Sequence, residues 1–240
     1  MHFHLPKPLH GWREFAGEVG IIVVGVLIAL GAEQVVETTH WNHAAAAARQ
    51  SIDEEMQTEY FYAWEMVSAQ PCIDRQLQSI EAAVLAPGPF RPVPNYSDGA
   101  GSFAFRAPAR SWSHHVWTSV NSDGTAAHLD DKTRIGLAAV YGLVDYIREK
   151  NTAADALRQR LTALSRPVQP DASARAGLVA DIEQARSLYS LMALVSDQLL
   201  GMGEATGFRV KRDALRVEDS GTLKFCRAHH LPLGPVVPIH

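Results

Sequence analysis

Histidine and cysteine are the residue types here whose spacing invites chemistry; the 240-residue chain has 11 of the first and 2 of the second. Glu37, His40 and His43 follow one another at intervals of three. On a helix this sets three metal-ligating types along one face. A metal centre also needs a fourth ligand and a second shell, and without them these are polar residues around Trp41. His114-His115 and His229-His230 are adjacent pairs, which diverge by about 100° on a helix and do not chelate alone. Cys72 and Cys226 form one bridge if their compartment is oxidising, and are two buried thiols if it is not.

The recognised enzyme motifs are absent: no P-loop, Gly-rich dinucleotide loop, HExxH helix, Gly-x-Ser-x-Gly elbow, Ser-x-x-Lys or Cys-x-x-Cys. No cofactor is expected. Arg209, Lys211, Arg212, Arg216, Lys224 and Arg227 form a basic cluster, but Asp213, Glu218 and Asp219 dilute it. It reads as solvated surface rather than a phosphate site. With 22 Lys+Arg against 26 Asp+Glu and a net charge of −4, the chain lacks the basic excess of a nucleic-acid binder.

The apolar residues are unevenly spread. Val19–Ala32 reads VGIIVVGVLIALGA, bounded by Glu18 and Glu33. Extended to 15–36, the segment is about 33 Å of helix, which matches a hydrocarbon core of about 30 Å. Glu18 and Glu33 then fall near opposite interfaces. Trp12 and Trp41 stand about 43 Å apart along a helix, the spacing of two interfacial Trp belts. A cleaved signal peptide is the competing reading, with Ala29-Leu30-Gly31 as its small-x-small site. Glu18 at the head of the apolar run and the Trp spacing favour the uncut anchor. Lys7 and Arg13 precede the span and Arg49 alone follows it closely, so the N-terminus is expected inside and the bulk of the chain outside. Ala16 and Gly20, then Gly25 and Ala29, place small residues four apart, a spacing that lets two membrane helices approach.

Gly17-Glu18-Val19-Gly20-Ile21-Ile22-Val23-Val24-Gly25-Val26-Leu27-Ile28-Ala29-Leu30 resembles the anchor signature of a large group of uncharacterised bacterial single-pass membrane proteins: Gly-Glu, a β-branched run, then Gly-(Ile/Val)-Leu-Ile-Ala-Leu. Trp41-Asn42 is similar to a Trp-Asn pair that follows the span there. Gly31-Ala32-Glu33-Gln34 departs from the family's usual continuation, which makes this chain a divergent relative. The resemblance covers about 30 residues, as one membrane span with its flank, and echoes weakly over Trp117–Tyr141. It implies an uncut anchor and a helical extracytoplasmic domain, and no activity.

Beyond the anchor, five alanines at Ala44–Ala48 carry the helix onward. Ile52, Met56, Tyr60, Ala63 and Val67 continue it as one apolar stripe. Pro71 is expected to end or kink this helix. A short second helix follows over Cys72–Leu85, with Ile73, Leu77, Ile80 and Val84 on one face. Residues 86–108 read as a long Pro/Gly loop, with a short strand at Ser102–Arg106. Trp112–Val120 reads as a helical turn or two, closed by Asn121-Ser122-Asp123-Gly124. Asp130 or Asp131 caps a helix reaching about Ser165, with Leu137, Tyr141, Val144, Leu157, Leu161 and Leu164 inward. Asp171 caps the next, whose seam is Leu178, Ile182, Ala185, Tyr189, Met192, Ser196 and Leu199. Gly201, Gly203 and Gly207 stop it. Trp112, Trp117, Phe103 and Phe105 read as core.

The fold expected is all-α: a transmembrane helix continuing into an antiparallel helical bundle with a long Pro/Gly-rich loop. Its parts are a cytoplasmic tail 1–14, an anchor 15–36, an extracytoplasmic helical domain 37–207 and an irregular C-terminal segment 208–240 packed on it. The leading functional expectation is a protein of the bacterial inner membrane with its domain in the periplasm. It would contact the lipid bilayer and either another membrane protein or a second copy, as an interaction or accessory subunit of a membrane complex. The alternative is a small-ligand-binding bundle near Trp112–Trp117 and the 86–108 loop, which would need a partner to pass a signal. A metal-binding protein or enzyme is the third reading.

Overall fold

The structure is a computed structural model describing residues 11–88, 90, 103–166, 168–205, 208 and 220–234. The described residues form helices and no strand, so the chain is all-α. Helix α1 spans Trp12–Leu85, α2 His115–Ser122, α3 Asp131–Leu161, α4 Ala172–Ala205 and α5 Gly221–Ala228. Single 3-10 turns at Thr125–His128 and Thr162–Ser165 precede and follow α3.

The 74 residues of α1 make a rod of about 110 Å. Its first part, through His40, is exposed on every face. Its second part is the central helix of the core: Ile52, Met56, Tyr60, Ala63, Ile73, Leu77, Ile80 and Val84 are buried, while Val67 is half-buried. Pro71 does not end this helix; it lies inside it. Proline costs a helix interior about 3 kcal/mol, because it donates no N–H and its ring crowds the preceding turn. Buried residues continue on both sides of position 71, from Met66 and Ala69 to Cys72 and Ile73, so packing outweighs the local preference. The disturbed turn is also used: Gly234 N–H donates to the Ser68 carbonyl at 2.9 Å. A Cβ at Gly234 would stand 3.0 Å from the Val67 carbonyl oxygen, so glycine permits this approach.

Three cross-links set α3 against α1. Arg49 reaches Thr133 at 3.2 Å, Tyr141 donates to Glu55 at 2.7 Å, and Asn151 donates to the Arg110 carbonyl, whose side chain sits on Glu65. Both partners climb the sequence together, so α1 and α3 run the same way. Helix α4 returns: Arg175 lies at the end of α1, and Gln70 pairs with Ser190. Arg160 of α3 forks onto Asp181 at 2.9 and 3.0 Å. The direction of α3 follows from the segment 103–130, which runs back down α1 from Gln76 to Trp41 before α3 begins.

Capping is local. Asp130 accepts from Thr133 N–H at 2.9 Å and Asp171 from Ala174 N–H at 2.8 Å. The end of α1 is closed from elsewhere: Arg175 donates to the carbonyls of Val84, Ala86 and Gly88 at 2.5, 3.0 and 2.6 Å. The first two are acceptors that a helix end leaves open, and the third lies just past the C-cap Ala86. The inward residues expected for α3 and its closing turn are buried, as are Ile182, Ala185, Tyr189, Met192, Ser196 and Leu199 of α4.

The described segments correct the sequence reading at three further places. Residues 103–106 form a bend at 104–105 rather than a strand, because Ala104 and Phe105 face the core and Arg106 pairs its backbone with a side chain. Gly201 and Gly203 lie within α4, which runs to Ala205. The C-terminal segment is not wholly irregular, since it contains α5. Gly207, the basic residues Arg209, Lys211, Arg212 and Arg216, and the acids Asp213, Glu218 and Asp219 lie outside the described residues. So do Lys7, most of the 86–108 loop and Ser102.

Candidate functional site

Two features of α1 stand out: its bare apolar part, and a run of acids on its buried part.

Of the first, α1 contains an apolar window of mean hydropathy 2.3 with none of it buried, long and apolar enough to cross a membrane. Ile21, Ile28, Val35 and Val36 are each more than 60% exposed (76%, 67%, 66% and 70%). Soluble monomers rarely leave so large a contiguous apolar surface uncovered. Trp12 is exposed at one end of the segment, and Glu18 and Glu33 are exposed near its edges. Ala16, Gly20, Gly25 and Ala29 are exposed on it, and nothing lies within 4 Å of a Cβ built at Gly20 or Gly25. Trp41 is half-buried, with the His128 ring stacked on it at 4.0 Å and the His40 ring edge-on at 5.3 Å.

Glu37, His40 and His43 are exposed on α1, and among the described residues no group of three or more His, Cys, Asp or Glu could hold a metal ion. His114 meets Asp145 of α3 at 2.5 Å and the His115 ring edge-on. His229 packs against Phe225 at the end of α5, and His230 follows with φ +54°. Cys72 and Cys226 are joined by a disulfide that ties α5 to the last quarter of α1. Trp112 is buried edge-on to Tyr62, and Trp117 stacks on Tyr141. Both tryptophans thus belong to core packing. Among the described residues, surface depressions lie along Leu164, Pro170 and Leu178, on the outer face of α3 around Tyr146, and at Asn121–Arg134.

The second feature was not visible in the sequence. Glu59 and Glu65 are fully buried, and Glu55 is half-buried. Each holds a piece of the descending segment. Glu65 accepts from Arg110 Nε at 2.6 Å and Nη2 at 3.0 Å, and from the Ser220 hydroxyl at 2.5 Å. That same hydroxyl oxygen accepts from Leu223 N–H and so caps α5. Glu59 accepts from Ser113 N–H at 2.9 Å. Glu55 accepts from the Ser113 hydroxyl at 2.7 Å, Val116 N–H at 3.2 Å and Tyr141 at 2.7 Å. Further up, Gln76 exchanges both bonds with the Arg106 backbone, at 2.7 and 3.0 Å. Arg110 lies over the Phe61 and Tyr62 rings. A chain without regular structure can lie on a buried helix face only if its peptide groups find partners, and these side chains supply them.

Burial holds the Glu59 carboxyl up at about 8, with the Glu55 charge adding and the Ser113 N–H opposing. Its second oxygen has no hydrogen-bond partner among the described residues, in keeping with a neutral acid. Such a shift is common at reactive sites, but none of these three depressions is lined by Glu55, Glu59 or Glu65. What the geometry shows for all three acids is the fastening of the descending segment to α1. An unfolded chain gives up this proton near 4.5 and the folded one near 8, so the folded state holds the extra proton between these values. Stability falls as pH rises through that window. Glu59→Gln is expected to change stability near pH 5 little and to raise it at pH 9 by on the order of 4 kcal/mol. Urea titrations of both proteins across this range check it; parallel pH profiles would show that Glu59 is not held neutral.

Neither a protein-family model, nor a curated protein, nor a solved structure matches this chain.

Proposed function

We propose that this is a single-pass protein of the bacterial inner membrane. Residues 15–36 cross the bilayer, the N-terminus stays in the cytoplasm, and the helical domain stands in the periplasm as an interaction or accessory subunit of a membrane complex. One observation carries the reading: the bare apolar segment and the core of the domain are parts of one uninterrupted helix. A linker would let the domain wander; a shared helix holds it at a fixed height and rotation relative to the span. That suits a protein that presents a surface to a neighbour. The Lys7 and Arg13 bias supports the orientation, and the Cys72–Cys226 disulfide is at home in an oxidising compartment. The anchor signature of Gly17–Leu30 points the same way.

Reporter fusions and crosslinking in native membranes test this. A reporter active only in the periplasm, fused after Gly234, is expected to be active, and the mature mass is expected to retain residues 15–36. Crosslinks from the domain to one recurrent membrane protein, or to a second copy, are the expected interaction result. A mature chain shortened by about 31 residues, as signal-peptide removal would leave it, contradicts the anchor. A chain that stays monomeric and uncrosslinked in its own membrane contradicts the interaction role.

A further inference from the structure

Because the span and the domain share one helix, the height of the domain above the bilayer follows from counting residues; this inference rests on the membrane-spanning reading of 15–36. Val36 ends the span, and Trp41 follows about 7–8 Å further along the axis. The interfacial layer on each side of the hydrocarbon is about 5–8 Å thick, so Trp41 stands at headgroup level, where Trp is favoured.

Trp41 does not stand there alone. The His128 ring stacks on it with 9° between the planes, and His128 ends the 3-10 turn Thr125–His128, the corner between α2 and α3. Gly124, at φ +84°, makes the reversal into that turn. The next cross-links are higher on α1, at Arg49 with Thr133 and Glu55 with Tyr141, so the corner is the lowest described part of the domain. Its inner residues Thr125 and Ala126 are buried, whereas Ala127 and His128 are exposed.

We propose that the corner 124–131 is a membrane-contacting foot whose exposed residues rest among the headgroups of zwitterionic phospholipid. The helical domain then sits directly on the bilayer, with no stalk between them. Charge is not what draws the corner down. Asp123, Asp130 and Asp131 slightly outnumber Lys132 and Arg134, so anionic lipid gains nothing, and the rigid helix sets the contact.

The test places an environment-sensitive fluorescent amino acid at Ala127 of the full-length protein in phosphatidylcholine vesicles. Parallel probes go at Leu27 in the span and at Ala174, exposed at the far end of the domain. Expected are strong quenching of Leu27 by lipids brominated in the acyl chains, quenching of Ala127 by lipids spin-labelled on the headgroup, and quenching of Ala174 by neither. The Ala127 signal should persist in about 0.5 M salt, which screens charges beyond a few ångströms. A quenched Leu27 with Ala127 as unquenched as Ala174 overturns the foot and leaves the anchor standing. An unquenched Leu27 overturns the anchor and the foot with it. Quenching of Ala127 that salt abolishes overturns the foot as proposed, because attraction rather than the tether would then hold it.

Discussion

Cys226→Ser in the full-length protein is expected to lower unfolding stability by about 5 kcal/mol, the loop-closure entropy released when a cross-link over this separation is removed. For a domain of about 200 residues that corresponds to roughly 10–20 °C in Tm. The loss follows from what the bridge fastens. Helix α5 has only eight residues, too few to be stable alone, and reaches the core through Leu223 and Cys226. It also brings Ser220 to the Glu65 carboxylate and leads into the Gly234 contact on Ser68. Thermal unfolding in detergent with and without reductant checks the magnitude, with Cys72→Ser as the matching single variant. The two variants and the reduced wild type should coincide. A shift of only a degree or two would mean that the C-terminal segment is held by its other contacts. Hydrogen exchange should show the loosening first in 220–234.

The second large effect is expected at Arg110. Arg110→Ala leaves the Glu65 carboxylate buried with, among the described residues, the Ser220 hydroxyl as its remaining side-chain donor. Removing one partner of a buried ion pair costs about 3–5 kcal/mol, chiefly because the other charge is stranded. The lost cation–π contacts with Phe61 and Tyr62 add about 0.5–1 kcal/mol. The same reasoning predicts strong non-additivity. Arg110→Met with Glu65→Met, which removes both charges and keeps volume, should cost clearly less than Arg110→Ala alone. A double-mutant cycle by urea denaturation measures this coupling. A cost below about 1 kcal/mol for Arg110→Ala, the range of an exposed pair, would show that Glu65 is solvated after all. Glu65→Gln should be milder, since a neutral amide can still accept from Ser220.

Both effects concern how 103–116 and 220–234 are strapped to α1, and here sequence and structure part. Apolar residues three and four apart identified the buried faces of α3 and α4, and Asp130 and Asp171 marked their starts, because periodicity and capping are local properties. The unbroken apolar run and its flanking Trp residues identified the exposed first part of α1 in the same way. The fate of Pro71 was not local. Its penalty is set by the proline itself, but the compensation comes from packing on both sides and from Gly234, far along the chain. Nothing in the local sequence marks Glu55, Glu59 and Glu65 as buried, since a carboxylate is normally left in water. Only Arg110, Ser113 and Ser220, brought in by segments without helical periodicity, make their burial affordable.

By itself the sequence determined an all-α chain, one helix long and apolar enough to span a membrane, and which residues of the later helices turn inward. Hydrophobic pattern and end-capping act over a few residues, so they can be read without knowing the fold. The tertiary structure alone decided that α1 is one rod through Pro71, that α1 and α3 point the same way, and that three acids serve as fasteners. It also decided that the α2–α3 corner descends to Trp41. Each of these depends on which distant group arrives to satisfy a backbone or side-chain atom, and that is settled only when the chain closes on itself.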